Sequence, residues 1–208
     1  TNMKKFDLYF NPTSIYDVVV ANFSMHYFFE SNQILNNFMR NIKKHLCTSG
    51  YFVCTCFDGD RIFELLQDRE QANFETQDST GGTMRLFGLQ KMYTETDPDD
   101  ITVGSSIDVF NGLVNDTVPI REYLVMSKFL TQTMKNLGFV CVDSGSFKCI
   151  HNSCCPPLQK MHQSNNSVFE PHINKHLEML SDFCNLPEDD PSKQFSFLSK
   201  FYVFQKII

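Results

Sequence analysis

The 208-residue sequence has none of the glycine-rich loops by which many nucleotide-binding enzymes are identified. It contains no G-x-G-x-x-G fingerprint, whose glycines let the backbone approach a pyrophosphate, and no phosphate-cradling P-loop. A G-x-S-x-G motif, which exposes the nucleophilic serine of α/β-hydrolases on a sharp turn, is also missing. By itself the sequence therefore does not indicate a complete nucleotide-dependent or hydrolytic enzyme.

An excess of basic residues and a long apolar run are missing too. The chain carries 18 Lys and Arg against 24 Asp and Glu, a formal net charge of -6. Phosphate contacts dominate binding to nucleic-acid duplexes, so this balance argues against a broad duplex-binding surface but allows recognition of one nucleotide or an RNA end. No apolar run is long enough to cross a membrane, and residues 1–5 do not resemble a secretory signal, so we expect no membrane association.

Eight cysteines are present, and their setting predicts reduced thiols rather than disulfides. Cys54 and Cys56 lie in an apolar run that is typical of a strand, while Cys141 and Cys149 flank another. Buried free thiols of this kind are usual in cytosolic proteins.

Two groups of residues could suggest a metal, but neither has a standard spacing. The segment "CIHNSCC" (149–155) is rich in ligands and matches no zinc pattern. His172 and His176 lie one helical turn apart, yet further ligands are not evident, so a surface pair is expected. We expect no metal site.

The first part of the sequence predicts a strand, a helix and a second strand joined by short connections. Tyr16–Phe23 is a short valine-rich run, which predicts a buried strand, and Tyr51–Phe57 predicts another. Between them, Glu30–Cys47 has helical spacing of its apolar residues and basic residues near its end, where the helix dipole favours cations. Two strands connected in this way are expected to pair in parallel.

The rest of the sequence mixes helices and strands, without an internal repeat, and predicts one α/β domain over residues 1–208 with a partly parallel sheet. The predicted elements are a short helix (Asp60–Arg69), a polar loop (Glu70–Gly82), paired strands (Met84–Tyr93 and Ser106–Gly112), a helix (Met126–Leu137), a strand (Phe139–Ile150), an exposed connection (151–167), a helix marked by Ile173, Leu177 and Leu180, and a last strand (Phe195–Ile208).

Polar and aromatic residues follow both of the first two predicted strands. Asn22–Tyr27 comes after the first strand, and "FDGD" (Phe57–Asp60) after the second. Ligands of open α/β sheets bind beyond the carboxyl ends of the strands, so these residues are candidates for a binding site. The alternative is that His26 and Tyr27 only cap the strand and fill the start of the helix.

Three segments, taken in order, resemble the mRNA cap guanine-N7 methyltransferases. They are "YDVVVANFSMHYFFES" (16–31), "MRNIKKHLCTSGYFVCTCFDGD" (39–60) and "VPIREYLVMSKFLTQTMKNLGFVCV" (118–142). The "DGD" of the second segment, "VFE" (168–170) and "YVFQK" (202–206) resemble the branch found in large DNA viruses, of the African swine fever virus or poxvirus type.

This resemblance implies a Rossmann-like class I fold and transfer of a methyl group from S-adenosylmethionine to N7 of the terminal guanine of capped RNA. Carried over by position, Asn22, Ser24 and Tyr27 would line the donor site. The residues that would contact the cap are His26, Tyr27, Phe57, Asp58 and Glu122. Without the resemblance, Glu122 could equally be a solvated glutamate at the start of a helix.

Some residues depart from the family pattern. Asn22 stands where glutamine is usual, and Ser199 stands where a cap-contacting tyrosine is expected, with Tyr202 out of phase. The family's glycine-rich donor loop and ribose-binding acid belong to strands that precede Tyr16. We therefore expect the chain to be the C-terminal portion of the methyltransferase domain, completed by an N-terminal segment or a complementary chain.

Two hypotheses for function remain at this point. The first is an mRNA (guanine-N7)-methyltransferase acting on capped RNA in the host cytoplasm, at viral factories, with packaging into the virion left open. The second is a non-catalytic, methyltransferase-like subunit that stimulates the catalytic partner in a capping complex, which could lose the donor motif without harm.

Overall fold

A computed structural model describes residues 14–77, 79–112, 118–164 and 171–208. These residues form two four-stranded sheets with helices packed against them. The "VFE" segment (168–170) lies outside the described residues, and the side chain of His172 is not described.

The first sheet has the order β1-β2-β8-β7 and is partly parallel, as predicted. β1 pairs in parallel with β2, and the chain between them contains helix α1, which confirms the expected strand-helix-strand unit. β8 pairs antiparallel with both β2 and β7. The elements are β1 (Tyr16–Ala21), α1 (Asn32–His45), β2 (Leu46–Phe57), β7 (Phe139–Ser146) and β8 (Ser199–Lys206).

Helix α1 covers one face of this sheet. Its N-terminus is capped by Ser31, whose hydroxyl accepts a hydrogen bond from the Ile34 amide, and its last turn is basic. The buried side chains of Leu35, Met39 and Ile42 recur at helical spacing and share one core with residues of β2 and β8.

The prediction that β1 is a buried strand is wrong for the described residues. Val18 and Val20 are 51% and 55% exposed, and only Ala21 of this strand is buried. Within the described ranges β1 pairs with β2 alone, so one edge and much of one face lack a neighbouring element. The run is apolar on both faces, which is the pattern of an interior strand, but here it lies at the edge of the sheet.

The second sheet is antiparallel and has the order β3-β4-β5-β6. The predicted pair of strands is confirmed as β4 and β5. The polar loop predicted over 70–82 is wrong, since it contains β3, in which Ala72 and Phe74 alternate with exposed residues and face the second core. The strands are β3 (Gln71–Gln77), β4 (Thr83–Lys91), β5 (Ser106–Asn111) and β6 (Ile120–Tyr123).

The remaining helices are α2 (Gly59–Leu65), α3 (Ser127–Asn136), α4 (Phe147–Ser164), α5 (Pro171–Asn185) and α6 (Pro191–Ser196). Two short 3-10 turns span Met25–Glu30 and Pro98–Asp100. The exposed connection predicted over 151–167 is wrong as far as residue 164, because α4 runs through Pro156 and Pro157. None of the described helices has the length and apolar character needed to span a membrane.

The cysteine prediction needs one correction. Cys155 of α4 and Cys184 of α5 form a disulfide. The other six cysteines are free, and Cys54 and Cys56 are buried in β2 as expected. The prediction failed because the two bonded residues are separated by 29 positions and their helices were not recognised as neighbours.

The two sheets meet where β2 ends. The Asp58 amide donates to the Leu198 carbonyl at 2.7 Å, and the Gly59 amide donates to the Val125 carbonyl at 3.2 Å. A Cβ atom at Gly59 would lie 2.6 Å from the Val125 oxygen, so only glycine permits this approach. The junction places the end of β2 beside β6 and α6.

Candidate functional site

A cavity of about 440 Å³ opens at this junction, a size that is ordinary for a small-molecule site. Its wall combines residues that follow β1 and β2 with residues of the second sheet and of α6. The lining residues are Phe23, His26, Tyr27, Phe57, Phe87, Val109, Asn111, Ile120, Glu122, Ser192, Phe195, Ser196 and Ser199.

The chain reverses after β1 and so brings His26 and Tyr27 into the cavity wall. Phe23 adopts a left-handed backbone conformation with φ of 46°, and its amide donates to the carbonyl and hydroxyl oxygens of Thr55 on β2. Met25 and Phe29 anchor the following 3-10 turn in the first core. His26 is thereby buried, while Tyr27 is 43% exposed.

Glu122 reaches the same cavity from β6. Its neighbour Arg121 faces outward and pairs with Asp108 of β5, so strand alternation turns Glu122 inward, where it is 9% exposed. Glu122 Oε2 lies 3.3 Å from His26 Nε2. The two groups are not aligned for a hydrogen bond, and in the described structure these atoms and His26 Nδ1 have no hydrogen-bond partner.

Burial controls the protonation of both groups. It raises the pKa of Glu122 to about 7 and lowers the pKa of His26 to about 4. Both shifts oppose a fully formed ion pair, although the 3.3 Å distance would permit one. Burial is the dominant cause, so near neutral pH the site holds a neutral imidazole beside a partly protonated carboxyl. Buried polar atoms without partners are uncommon and mark a place where a polar ligand can bind.

Four phenylalanines, Phe23, Phe57, Phe87 and Phe195, form part of the remaining wall. Phe195 of α6 stacks on Phe87 of β4 with ring centroids 4.3 Å apart and an interplanar angle of 5°. Phe57 and Phe74 approach the same ring edge-on, at 5.4 and 5.6 Å. Sequence reasoning missed Phe87 and Phe195, because residue 195 was assigned to a strand and nothing in the pattern linked the two segments.

The structure brings together four of the five residues predicted to contact the cap. His26, Tyr27, Phe57 and Glu122 all line the cavity. Asp58 does not, because its carboxylate caps the start of α2 and lies 4.0 Å from Lys200 Nζ. Burial raises the pKa of Asp58, so its role in this structure is that of a partly buried capping residue.

The structure shows where the two C-terminal residues that depart from the family pattern lie. Ser199 is buried and lines the cavity. Tyr202 faces the first core instead, and its hydroxyl lies 2.7 Å from Ser127 Oγ. No tyrosine of β8 therefore reaches the cavity.

The predicted donor-site residues lie at the end of β1, next to the cavity. Asn22 is exposed and Ser24 is half-buried, and neither lines the cavity itself. Tyr27 does line it, so this residue lies between the polar end of β1 and the cavity.

A comparison with protein families decides the assignment. Residues 3–190 match the model of the mRNA (guanine-N(7))-methyltransferase domain. The chain belongs to this family. The prediction of the family, and with it that of an α/β, Rossmann-like methyltransferase fold, is confirmed.

Curated relatives are viral capping enzymes. The chain is 29% identical over 203 residues to a probable mRNA-capping enzyme of Acanthamoeba polyphaga mimivirus, covering 92% of this chain and 17% of the relative. It is 28% identical over 130 residues to the mRNA-capping enzyme of African swine fever virus (isolate Pig/Kenya/KEN-50/1950), covering 62% of this chain and 15% of the relative. The chain thus spans about a sixth of the length of these relatives.

Solved structures give a weaker likeness. An S-adenosylmethionine-dependent methyltransferase from Clostridium acetobutylicum has a TM-score of 0.46 at 11% identity, covering 95% of this chain and 61% of the other. The CcbJ methyltransferase from Streptomyces caelestis has a TM-score of 0.47 at 13% identity, covering 95% and 63%.

The raised pKa of Glu122 predicts how stability depends on pH. Between pH 4.5 and 7 the Glu122 carboxyl keeps its proton in the folded protein and loses it in the unfolded chain. The free energy of unfolding therefore falls as pH rises through this range. Glu122→Gln should therefore raise the melting temperature at pH 8 by a few degrees, and the gain should vanish near pH 4. Glu75→Gln, at an exposed position of β3, is the control. Equal melting temperatures of Glu122→Gln and the parent at pH 8 would contradict the assignment.

Proposed function

We propose that the chain carries the guanine-binding part of an mRNA cap methyltransferase, which transfers a methyl group from S-adenosylmethionine to N7 of the terminal guanine. The observation that carries the proposal is the carboxyl of Glu122, whose buried Oε2 atom lacks a hydrogen-bond partner among the described residues, in a cavity partly lined by aromatic rings. Family membership and the viral capping relatives support the same activity.

Guanine offers the groups that Glu122 needs. Its Watson–Crick edge carries two adjacent N–H donors, at N1 and at the exocyclic amine, and a carboxylate accepts both. The base becomes cationic as N7 is methylated. Attraction between this developing charge and the Glu122 carboxylate grows towards the transition state, so the contact assists the reaction as well as binding.

Aromatic rings supply the faces of the guanine site. Tyr27, Phe57 and Phe195 line the cavity and can stack on or abut a planar base. An aromatic face also attracts a cation, which favours the methylated base over the neutral one. Phe195 thus provides aromatic surface close to Ser199, where the family's tyrosine is not present.

The residues at the end of β1 fit one side of a donor site. Asn22 and Ser24 offer amide and hydroxyl groups there, and the half-exposed ring of Tyr27 offers a surface for a cationic group. Bound S-adenosylmethionine would supply an electrophilic methyl group on a sulfonium. The described residues form one wall of such a site and leave its remaining walls to other segments.

Methylation at N7 needs alignment more than proton transfer. N7 carries a lone pair and is a nucleophile at neutral pH, so no base has to remove a proton before the methyl group is transferred. Holding the guanine against Glu122 and the aromatic wall fixes N7 in a near-attack geometry. The lowered pKa of His26 suits this role, because a neutral imidazole adds no positive charge beside the developing cation.

A complementary segment would complete the donor side. Among residues 14–208, as far as the structure describes them, β1 pairs with β2 alone, and its other edge can accept another parallel strand beside Val18 and Val20. We place this segment either in the same polypeptide or in a partner chain. The viral relatives are mRNA-capping enzymes, which supports action on capped RNA. We propose the host cytoplasm as the place of action. A purely stimulatory subunit would have no use for a buried carboxyl in a cavity partly lined by aromatic rings.

The first prediction tests Glu122 as the guanine-binding residue. In the completed methyltransferase, Glu122→Gln should lower kcat/KM for capped RNA by about a hundredfold or more, the loss expected when a charge-assisted transition-state contact is removed. Binding of S-adenosylmethionine should persist, and Glu75→Gln should retain full activity. Affinity of the parent for a cap analogue should also fall as pH drops below about 7, where Glu122 becomes protonated. Unchanged turnover of Glu122→Gln at saturating RNA would refute the role.

A second prediction separates the two sides of the site. Tyr27→Ala should weaken the binding of both S-adenosylmethionine and cap analogue, because Tyr27 lies between the end of β1 and the cavity. His26→Ala and Phe195→Ala should weaken the cap analogue only. Isothermal titration calorimetry with each ligand measures these effects. A Tyr27→Ala protein with normal affinity for both ligands would rule out the shared wall.

A third prediction concerns the open edge of β1. Residues 1–208 produced alone should self-associate, and co-expression with the preceding segment of the polypeptide, or with a complementary chain, should restore a defined species that binds S-adenosylmethionine. Size-exclusion chromatography with light scattering, followed by donor titration, measures both properties. A soluble monomer of residues 1–208 that binds the donor at micromolar concentration would show that the donor site is misplaced.

A further inference from the structure

A second group of reactive side chains lies behind the α6 wall of the cavity. The sulfur atoms of Cys155 and Cys184 are bonded to each other, and a ring nitrogen of His151 lies within 4.8 Å of both. Cys155 is buried, with 8% of its surface exposed, and Cys184 is half-buried, so solvent reaches the pair from the Cys184 side. The guanine-binding function described above uses none of these three residues.

Direct contacts connect this group to α6. Lys193 of α6 is 2% exposed, and its ammonium donates to the Cys184 carbonyl at 3.0 Å and to the Leu186 carbonyl at 2.6 Å. The His151 ring packs edge-on against Phe197, which follows α6, with ring centroids 5.2 Å apart. The position of α6 therefore depends on where the end of α5, which is bonded to the middle of α4, lies.

We propose that Cys155 and Cys184 form a site of reversible thiol–disulfide exchange, and that the oxidised state holds α6 in the position that completes the cavity. α6 contributes Ser192, Phe195 and Ser196 to the cavity wall. The proposed effect on ligand binding rests on the guanine-binding function proposed above, whereas the exchange chemistry and its effect on α6 do not.

The chemistry balances with a thiol reductant of the glutathione or dithiol class. A thiolate attacks one sulfur, the Cys155–Cys184 bond breaks, and a mixed disulfide forms together with one free cysteine thiolate. A second thiol then releases the reductant as its own disulfide and leaves two cysteine thiols. Two electrons and two protons pass to the protein, and two reductant thiols are oxidised. The adjacent His151 ring can accept a proton from a cysteine thiol and so favour the reverse reaction.

Loss of the covalent bond should loosen α6. A disulfide constrains the chain that it closes, and this one joins α4 and α5 across a sequence separation of 29. In the reduced protein, the end of α5 that carries the Cys184 carbonyl is no longer tied to α4. Lys193 then loses its fixed acceptors, and Phe195 is less well ordered in the cavity wall.

The test uses protein purified without reductant and the same protein treated with dithiothreitol. Peptide mass mapping should find the Cys155–Cys184 peptide pair only in the first sample. Hydrogen–deuterium exchange over residues 186–198 should be faster after reduction, and affinity for a cap analogue should fall about three- to tenfold, a normal size for coupling between sites. Cys155→Ser and Cys184→Ser should show the exchange rate and the cap-analogue affinity of the reduced protein, and dithiothreitol should change neither. Cys154→Ser, at the exposed neighbouring position, should behave as the parent.

Two results would overturn the proposal, and a third would separate it from the guanine-binding function. Unchanged exchange over residues 186–198 in Cys184→Ser would remove the link to α6. Eight reduced cysteines with stoichiometric zinc in the reductant-free protein would make His151, Cys155 and Cys184 a metal site instead. Hydrogen–deuterium exchange over residues 186–198 that depends on the redox state, in a protein that binds no cap analogue in either state, would support the thiol–disulfide exchange site. The same result would contradict the guanine-binding function.

Discussion

The contact between His26 and Glu122 is the constraint on which the site depends. His26 comes from the turn that follows β1 of the first sheet, and Glu122 comes from β6 of the second. Their side chains can meet at 3.3 Å only if the two sheets are held at a fixed distance. The backbone hydrogen bonds from Asp58 and Gly59 provide that hold, and Phe129 packs against the cores of both sheets. The hydrophobic packing of two separate sheets thus supports one polar pair.

Burying Glu122 lowers the stability of the free protein, and the same burial strengthens its contact with a ligand. A carboxyl that is kept from water has a raised pKa, since desolvation disfavours its charge. In the function proposed above, a guanine that donates two N–H groups would restore partners to the carboxylate in a place where the dielectric is low, so each hydrogen bond would be stronger than at the surface. The gain would be largest when the base becomes cationic. Under that proposal, the stability given up in the free protein favours methyl transfer.

The spacing of apolar residues predicted those helices and strands that have a clear periodicity in the sequence. It could not predict contacts between segments that are distant in the sequence. The apolar spacing of α1 and the polar ends of β1 and β2 predicted the strand-helix-strand unit and placed His26, Tyr27 and Phe57 at one edge of a sheet. Glu122 was found only through resemblance to a family, since a glutamate in β6 has no signal of its own. Phe87 and Phe195 were missed because their stacking depends on how α6 packs against β4. The bond between Cys155 and Cys184 was missed for the same reason: it depends on the packing of two helices.

The walls of the cavity differ in how firmly they are held. The turn that carries His26 and Tyr27 is anchored by Met25 and Phe29, both of which are fully buried. Glu122 lies within a paired strand of an antiparallel sheet. α6, in contrast, has only six residues and is positioned by the Asp190 cap, by the contacts of Lys193 with the end of α5 and by the stacking of Phe195 on Phe87. Six residues are too few for a helix to be stable without tertiary contacts, so the order of Phe195 and its neighbours follows from the packing behind them. In the proposed guanine site, affinity for the base would therefore be set partly by residues that do not touch it.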